Sequence, residues 1–173
     1  MSDIKIVTAD IVTVDTDCVV NAANEGLREG TGVCGDIFSA AGAEELAKAC
    51  EKIGGCPTGH AVITPGFDLK AKYIIHAVGP RWNDAGKDRE LLAGCYKESL
   101  ERARENDCHS IAFPVISSGI FGYPKDVAWE QAIKGCGEWI KDNPDYDMEI
   151  IFTVRSESSK ALGESILKEA SAS

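Results

Sequence analysis

Asn21-Ala22-Ala23-Asn24 follows directly on an apolar run, Cys18-Val19-Val20, and opens into a loop carrying Gly26, Gly30, Gly32 and Gly35. Each amide both donates and accepts hydrogen bonds, so Asn21 and Asn24 are candidate ligand contacts. The glycines let the backbone approach a ligand closely. Successive N–H groups in such a loop form an anion cradle with no charged side chain. A second loop, Ser117-Ser118-Gly119-Ile120-Phe121-Gly122-Tyr123-Pro124, offers hydroxyls, glycine N–H groups and an aromatic. Alone it reads equally as a surface turn. Paired with the first loop it reads as a ligand loop, with Phe121 able to pack against a sugar.

Other candidates are weaker. Asp10 follows the first strand and suits a helix cap, or an acceptor for an exocyclic amine such as adenine's. Cys34, near a helix start, could have a lowered pKa and serve a Cys–His nucleophile pair, although nothing places a histidine beside it. His60 and His76 lie in strand patterns and read as structural. Gly30-Thr31-Gly32-Val33-Cys34-Gly35 matches G-x-G-x-x-G but stands too far beyond Val20 for a dinucleotide fingerprint. No P-loop motif is present.

The elements that would position these groups alternate in type. Strands are predicted at Ile4–Thr8, Asp17–Val20, Ala61–Thr64, Tyr73–Val78, Ile111–Ile116 and Glu149–Val154. Helices are predicted from Val33 to about Lys52, over 88–106, from about Ala128 to Ile140, and through Leu162, Ile166 and Ala170. This order suggests an α/β sandwich with a mainly parallel, possibly mixed sheet. Ligands of such sheets sit beyond the carboxyl ends of the strands. Both glycine-rich loops qualify, and a crevice between them would hold a diphosphate with each following helix start aimed at it.

The whole chain, 1–173, reads as one domain. Its formal net charge of -10 and 7% aromatic content argue against general nucleic-acid binding. Anion binding must therefore be local, through backbone dipoles, against the overall field. No apolar run approaches the roughly 20 residues of a membrane span, and no leader pattern follows Met1. The seven scattered cysteines, with no Cys-x-x-Cys, read as reduced thiols of a cytoplasmic protein, most of them small buried residues.

The ordered motifs Thr8-Ala9-Asp10-Ile11, Val19-Val20-Asn21-Ala22-Ala23-Asn24, Gly30-Thr31-Gly32-Val33, Cys56-Pro57-Thr58-Gly59-His60-Ala61, His76-Ala77-Val78-Gly79-Pro80 and Phe113 through Pro124 resemble those of the macrodomains. The resemblance spans nearly the whole chain and is nearest the hydrolytic MacroD-type branch, with similarity to viral members. It implies a three-layer α/β/α sandwich with a mixed, mostly parallel central sheet that binds ADP-ribose. By position, Asp10 and Ile11 would meet the adenine, with Arg155 near its face. Gly32, Val33 and Cys34 would line the first phosphate loop, and Ser118, Gly119, Ile120 and Phe121 the second. Ser117 joins that loop as a ligand contact. Asn24 would orient the distal ribose, with Phe121 against it.

Many bacterial hydrolases of this branch carry Asp where this chain has Cys34. The resemblance thus implies a slower enzyme, with Asn24, Cys34 and Phe121 as its catalytic group. Thr31 and Ala9 replace common glycines, and Asp36 suits a helix cap. The zinc-dependent branch's signature is absent, so neither metal nor cofactor is expected. The expected activity is removal of mono-ADP-ribose from acidic side chains, deacylation of O-acyl-ADP-ribose, or both, by a monomer whose partners are ADP-ribose and mono-ADP-ribosylated proteins. The alternative is a reader that binds ADP-ribose without cleaving it.

Overall fold

The computed structural model describes residues 2–83, 86–119 and 121–172. Six strands build one sheet: β1 (Asp3–Thr8), β2 (Cys18–Ala23), β3 (Ala61–Pro65), β4 (Tyr73–Val78), β5 (Ser110–Phe113) and β6 (Glu149–Val154). Their spatial order is β1-β6-β5-β2-β4-β3. All neighbours run parallel except β3 and β4. The sheet is therefore mixed and mostly parallel, and its central strands are apolar on both faces because helices cover both.

The helices are α1 (Gly32–Ala41), α2 (Ala43–Ile53), α3 (Gly86–Glu105), α4 (Lys125–Asp142) and α5 (Glu157–Ala172). One face of the sheet, through Val20, Ile75, Phe113 and Phe152, packs against α3, α4 and α5 around Tyr96, Trp129 and Leu162. The other face, through Val19, Ile74, Val78 and Ala112, packs against α1 and α2 around Ile37, Phe38 and Leu46. The result is a three-layer α/β/α sandwich.

Two expectations need correction. The alanine-rich stretch read as one helix from Val33 to Lys52 is two helices, broken at Gly42. Gly42 has φ +105°, a conformation that strains any residue with a Cβ, and Asp68 N–H takes the freed Ala41 carbonyl at 3.1 Å. The apolar period runs on through the break, which hides it. The run read as a strand to Ile116 leaves the sheet after Phe113, where Pro114 has no N–H to continue the ladder.

Candidate functional site

The carboxyl ends of the parallel strands open on a cavity of about 460 Å³. Thr31, Gly32, Val33 and Cys34 form one wall, and Ser117, Ser118, Gly119 and Phe121 form the opposing one. The two glycine-rich loops thus share one crevice. Arg155 is the only charged residue among the described residues that line it.

The first wall is the start of α1. Thr31 provides no side-chain cap, and the first helical bond is Gly35 N–H to the Thr31 carbonyl at 3.3 Å. The N–H groups of Gly32, Val33 and Cys34 therefore have no acceptor within the helix. Together with the helix dipole they favour an anion there.

The second wall is held by its own backbone. Ser118 Oγ donates to the Val115 carbonyl at 2.7 Å, and Tyr123 N–H donates to the Ser117 carbonyl at 3.0 Å. Ser117 has φ +67°, a left-handed conformation that strains a residue with a side chain. Its hydroxyl is buried without a partner. Gly79, after β4, permits this close approach: a Cβ there would stand 2.3 Å from Ser117 Oγ and 2.5 Å from Ile116 Cγ2. Phe121's carbonyl accepts from Trp82 N–H at 2.9 Å, which ties the loop to the segment beyond β4.

One expectation about helix starts is revised. The start of α4 is not on the wall; Ser156 and Ser159, at the start of α5, are. Neither serine was singled out from the sequence.

At one end Ile11 and Arg155 line the cavity. Asp10 Oδ1 caps the 3-10 turn Ile11–Thr13 by accepting from Val12 N–H at 3.2 Å. Its Oδ2 lies 3.5 Å from Arg155 Nη2, and Asp36 Oδ2 lies 3.1 Å from the same nitrogen. Asp36 is thus an ion-pair partner rather than a helix cap. Asp10 shows the capping role and keeps an oxygen toward Arg155.

Asn21 is a correction. β2 continues through Asn21 to Ala23, so its side chain turns into the α1/α2 layer and is 1% exposed. It is not on the cavity wall. Asn21 Nδ2 donates to His76 Nδ1 at 3.0 Å. His76 is buried and structural, as its strand position implied, whereas His60 stands exposed ahead of β3, 3.0 Å from Glu98.

Cys34 is on the wall but is no thiolate. Burial pushes its thiol up, outweighing the lowering by the Gly30 backbone and the Asn21 amide. Its Sγ approaches the Arg28 carbonyl at 3.7 Å. Among the described residues no hydrogen bond joins Cys34 to a histidine, so the Cys34–His nucleophile pair does not form. All seven cysteines are free and buried. Among the described residues no cluster of His, Cys, Asp or Glu could hold a metal ion, and no helix is long and apolar enough to cross a membrane.

Asn24 lies on a second cavity of about 360 Å³, which shares Gly79 and Phe121 with the first. Its amide is braced at both ends: Nδ2 donates to the Arg28 carbonyl and Oδ1 accepts from Arg28 N–H, each at 2.9 Å. One N–H and one lone pair remain for a ligand. Glu25, Arg81 and Asp88 also line this cavity, and none was singled out from the sequence. Ile120 lies outside the described residues.

The layers and the cleft define an α/β/α domain with an anion-receptive crevice at the carboxyl edge of its sheet. The chain belongs to the macro domain family, whose family model matches residues 20–132. It is 45% identical over 168 residues to a macro domain-containing protein of Ralstonia nicotianae, covering 96% of this chain and 95% of that one. It is 46% identical over 153 residues to the human ADP-ribose glycohydrolase MACROD2, covering 87% of this chain and 36% of that protein. Among solved structures, the Oceanobacillus iheyensis macrodomain with ADP matches with a TM-score of 0.88 at 38% identity, over 96% of this chain and 90% of that one. The Trypanosoma brucei macrodomain in complex with ADP-ribose matches at 0.84 and 30% identity, over 94% and 68%.

Proposed function

We propose that this chain binds ADP-ribose and hydrolyses its esters, removing mono-ADP-ribose from acidic side chains of proteins, deacylating O-acyl-ADP-ribose, or both. The observation that carries this reading is the join between the two cavities at Phe121 and Gly79. A diphosphate gripped between the loop walls would leave its distal ribose at that join, beside the Asn24 amide. The size of the first cavity suits a small-molecule site.

The residues divide the work. The N–H groups of the α1 start hold phosphate oxygens. Phe121 limits the motion of the distal ribose, and Asn24, braced by Arg28, fixes its hydroxyls. No carboxylate is among the described residues lining the first cavity. The chain therefore acts by orientation, with a phosphate oxygen of the substrate holding the attacking water. The ester and one water become a ribose hydroxyl and a carboxylate, with a proton passing to solvent. Cys34 contributes wall rather than charge. The same reading keeps the protein a cytoplasmic monomer, with mono-ADP-ribosylated proteins as partners.

The test is incubation with a protein mono-ADP-ribosylated on glutamate. Release of ADP-ribose is expected. Binding by calorimetry without release would make this chain a reader.

A further inference from the structure

We infer that the second cavity seats the acyl side of the ester, and that Arg81 receives the carboxylate that hydrolysis releases. The inference rests on the hydrolase reading and adds one residue to it, Arg81, as the group that faces the acyl side of the ester.

The argument starts from the shared wall. Phe121 lines both cavities, and the Arg81 guanidinium carbon lies 5.1 Å from the centroid of its ring. A ribose held against Phe121, at the edge of the first cavity, and beside Asn24 of the second would project its ester into the second. Arg81 is exposed, and among the described residues no ion pair engages it. Its donors are thus available, while the ring orients its plane.

Charge narrows the choice further. The other ionisable residues on this wall are Glu25, which is exposed, and Asp88, which is buried and accepts from Asn83 N–H at 3.1 Å. Both repel a carboxylate, so within the cavity an anionic acyl product is favoured only beside Arg81. The chain's formal net charge of -10 reinforces that restriction. A cavity of about 360 Å³ also exceeds what an acetyl group needs and admits an amino-acid side chain.

Water adds to the acyl carbon and puts negative charge on the carbonyl oxygen. The bond to the ribose oxygen then breaks, that oxygen takes a proton, and the acyl side is left as a carboxylate. The contact with Arg81 therefore strengthens in the transition state. Its loss should then appear in kcat rather than in the affinity for ADP-ribose. The substitutions are Arg81→Gln and Arg81→Lys. Each is assayed by calorimetry with free ADP-ribose and by turnover of glutamate-linked substrate and O-acetyl-ADP-ribose. For Arg81→Gln we expect ADP-ribose affinity within about twofold of wild type and kcat lowered roughly tenfold on both esters. Arg81→Lys, which keeps the charge without the planar fork, should recover a substantial part of the loss. Unchanged kcat in Arg81→Gln overturns the inference. So does a parallel fall in ADP-ribose affinity, which would place Arg81 on the nucleotide. A wild-type chain that binds ADP-ribose but releases none refutes the hydrolase reading itself, before any variant is made.

Discussion

Cys34 shows how position decides chemistry at the residue scale. A cysteine at a helix start is expected to be acidified by the dipole. Here burial wins, and the thiol stays protonated at neutral pH. It lies against the Arg28 carbonyl, where it fills the wall beneath the first loop. Cys34→Ala should therefore keep at least about one third of wild-type ADP-ribose release, because no covalent step runs through sulfur. A hundredfold loss, with folding intact by circular dichroism, would restore the nucleophile reading. Asn24 carries the opposite lesson. Its two bonds to Arg28 look structural, yet they are what hold the remaining donor and acceptor in place.

At the scale of elements, His76 joins three strands and a helix. Its Nδ1 accepts from Asn21 of β2, and its Nε2–H donates to Thr64 Oγ1 of β3 at 3.0 Å. The Thr64 hydroxyl passes the chain on to the Pro65 carbonyl at 3.2 Å, and Cys50 of α2 lies 3.9 Å from Nε2. Each bond suits a neutral imidazole, and burial lowers the pKa from 6.5 to about 4. Because the folded pKa lies below the unfolded one, the stabilisation is complete above pH 6.5 and declines as pH falls toward 4. At 1.36 kcal/mol per pH unit the full loss is roughly 3 kcal/mol. NMR titration of the His76 ring should give a midpoint below pH 5, accompanied by a fall in denaturation midpoint between pH 7 and 4.5. A ring midpoint near 6.5 would contradict this network.

At the scale of the whole molecule, the overall field and the local site disagree. The chain carries a formal net charge of -10, whereas the described lining of the first cavity bears Arg155 as its only charged group. Backbone dipoles act within the site, while net charge acts over a Debye length of about 30 Å at 0.01 M salt and about 8 Å at 0.15 M. Salt should thus screen long-range repulsion more than the buried contacts. We expect the association rate of ADP-ribose, measured by stopped flow, to rise about twofold or more between those concentrations. A falling rate would mean that the anion meets a positive approach surface instead.

Much of this architecture was legible from local pattern. Tyr73–Val78 and Glu149–Val154 stand as strands with the boundaries their apolar runs imply. Side-chain periodicity depends on near neighbours, and so did the two glycine-rich loops, whose place after strands put both on one crevice. Long-range partners were not legible in this way. Asn21 reads as a ligand contact until β4 runs beside β2 and brings His76, 55 positions away in the chain, to its amide. Ser156 and Arg81 likewise carry no local mark of their cavities; the strand order brings α5 to one and the segment after β4 to the other. Local chemistry therefore determined which groups could bind an anion. Only the tertiary packing decided which of them face the crevice, because a polar side chain turns to whichever buried partner the neighbouring strand supplies.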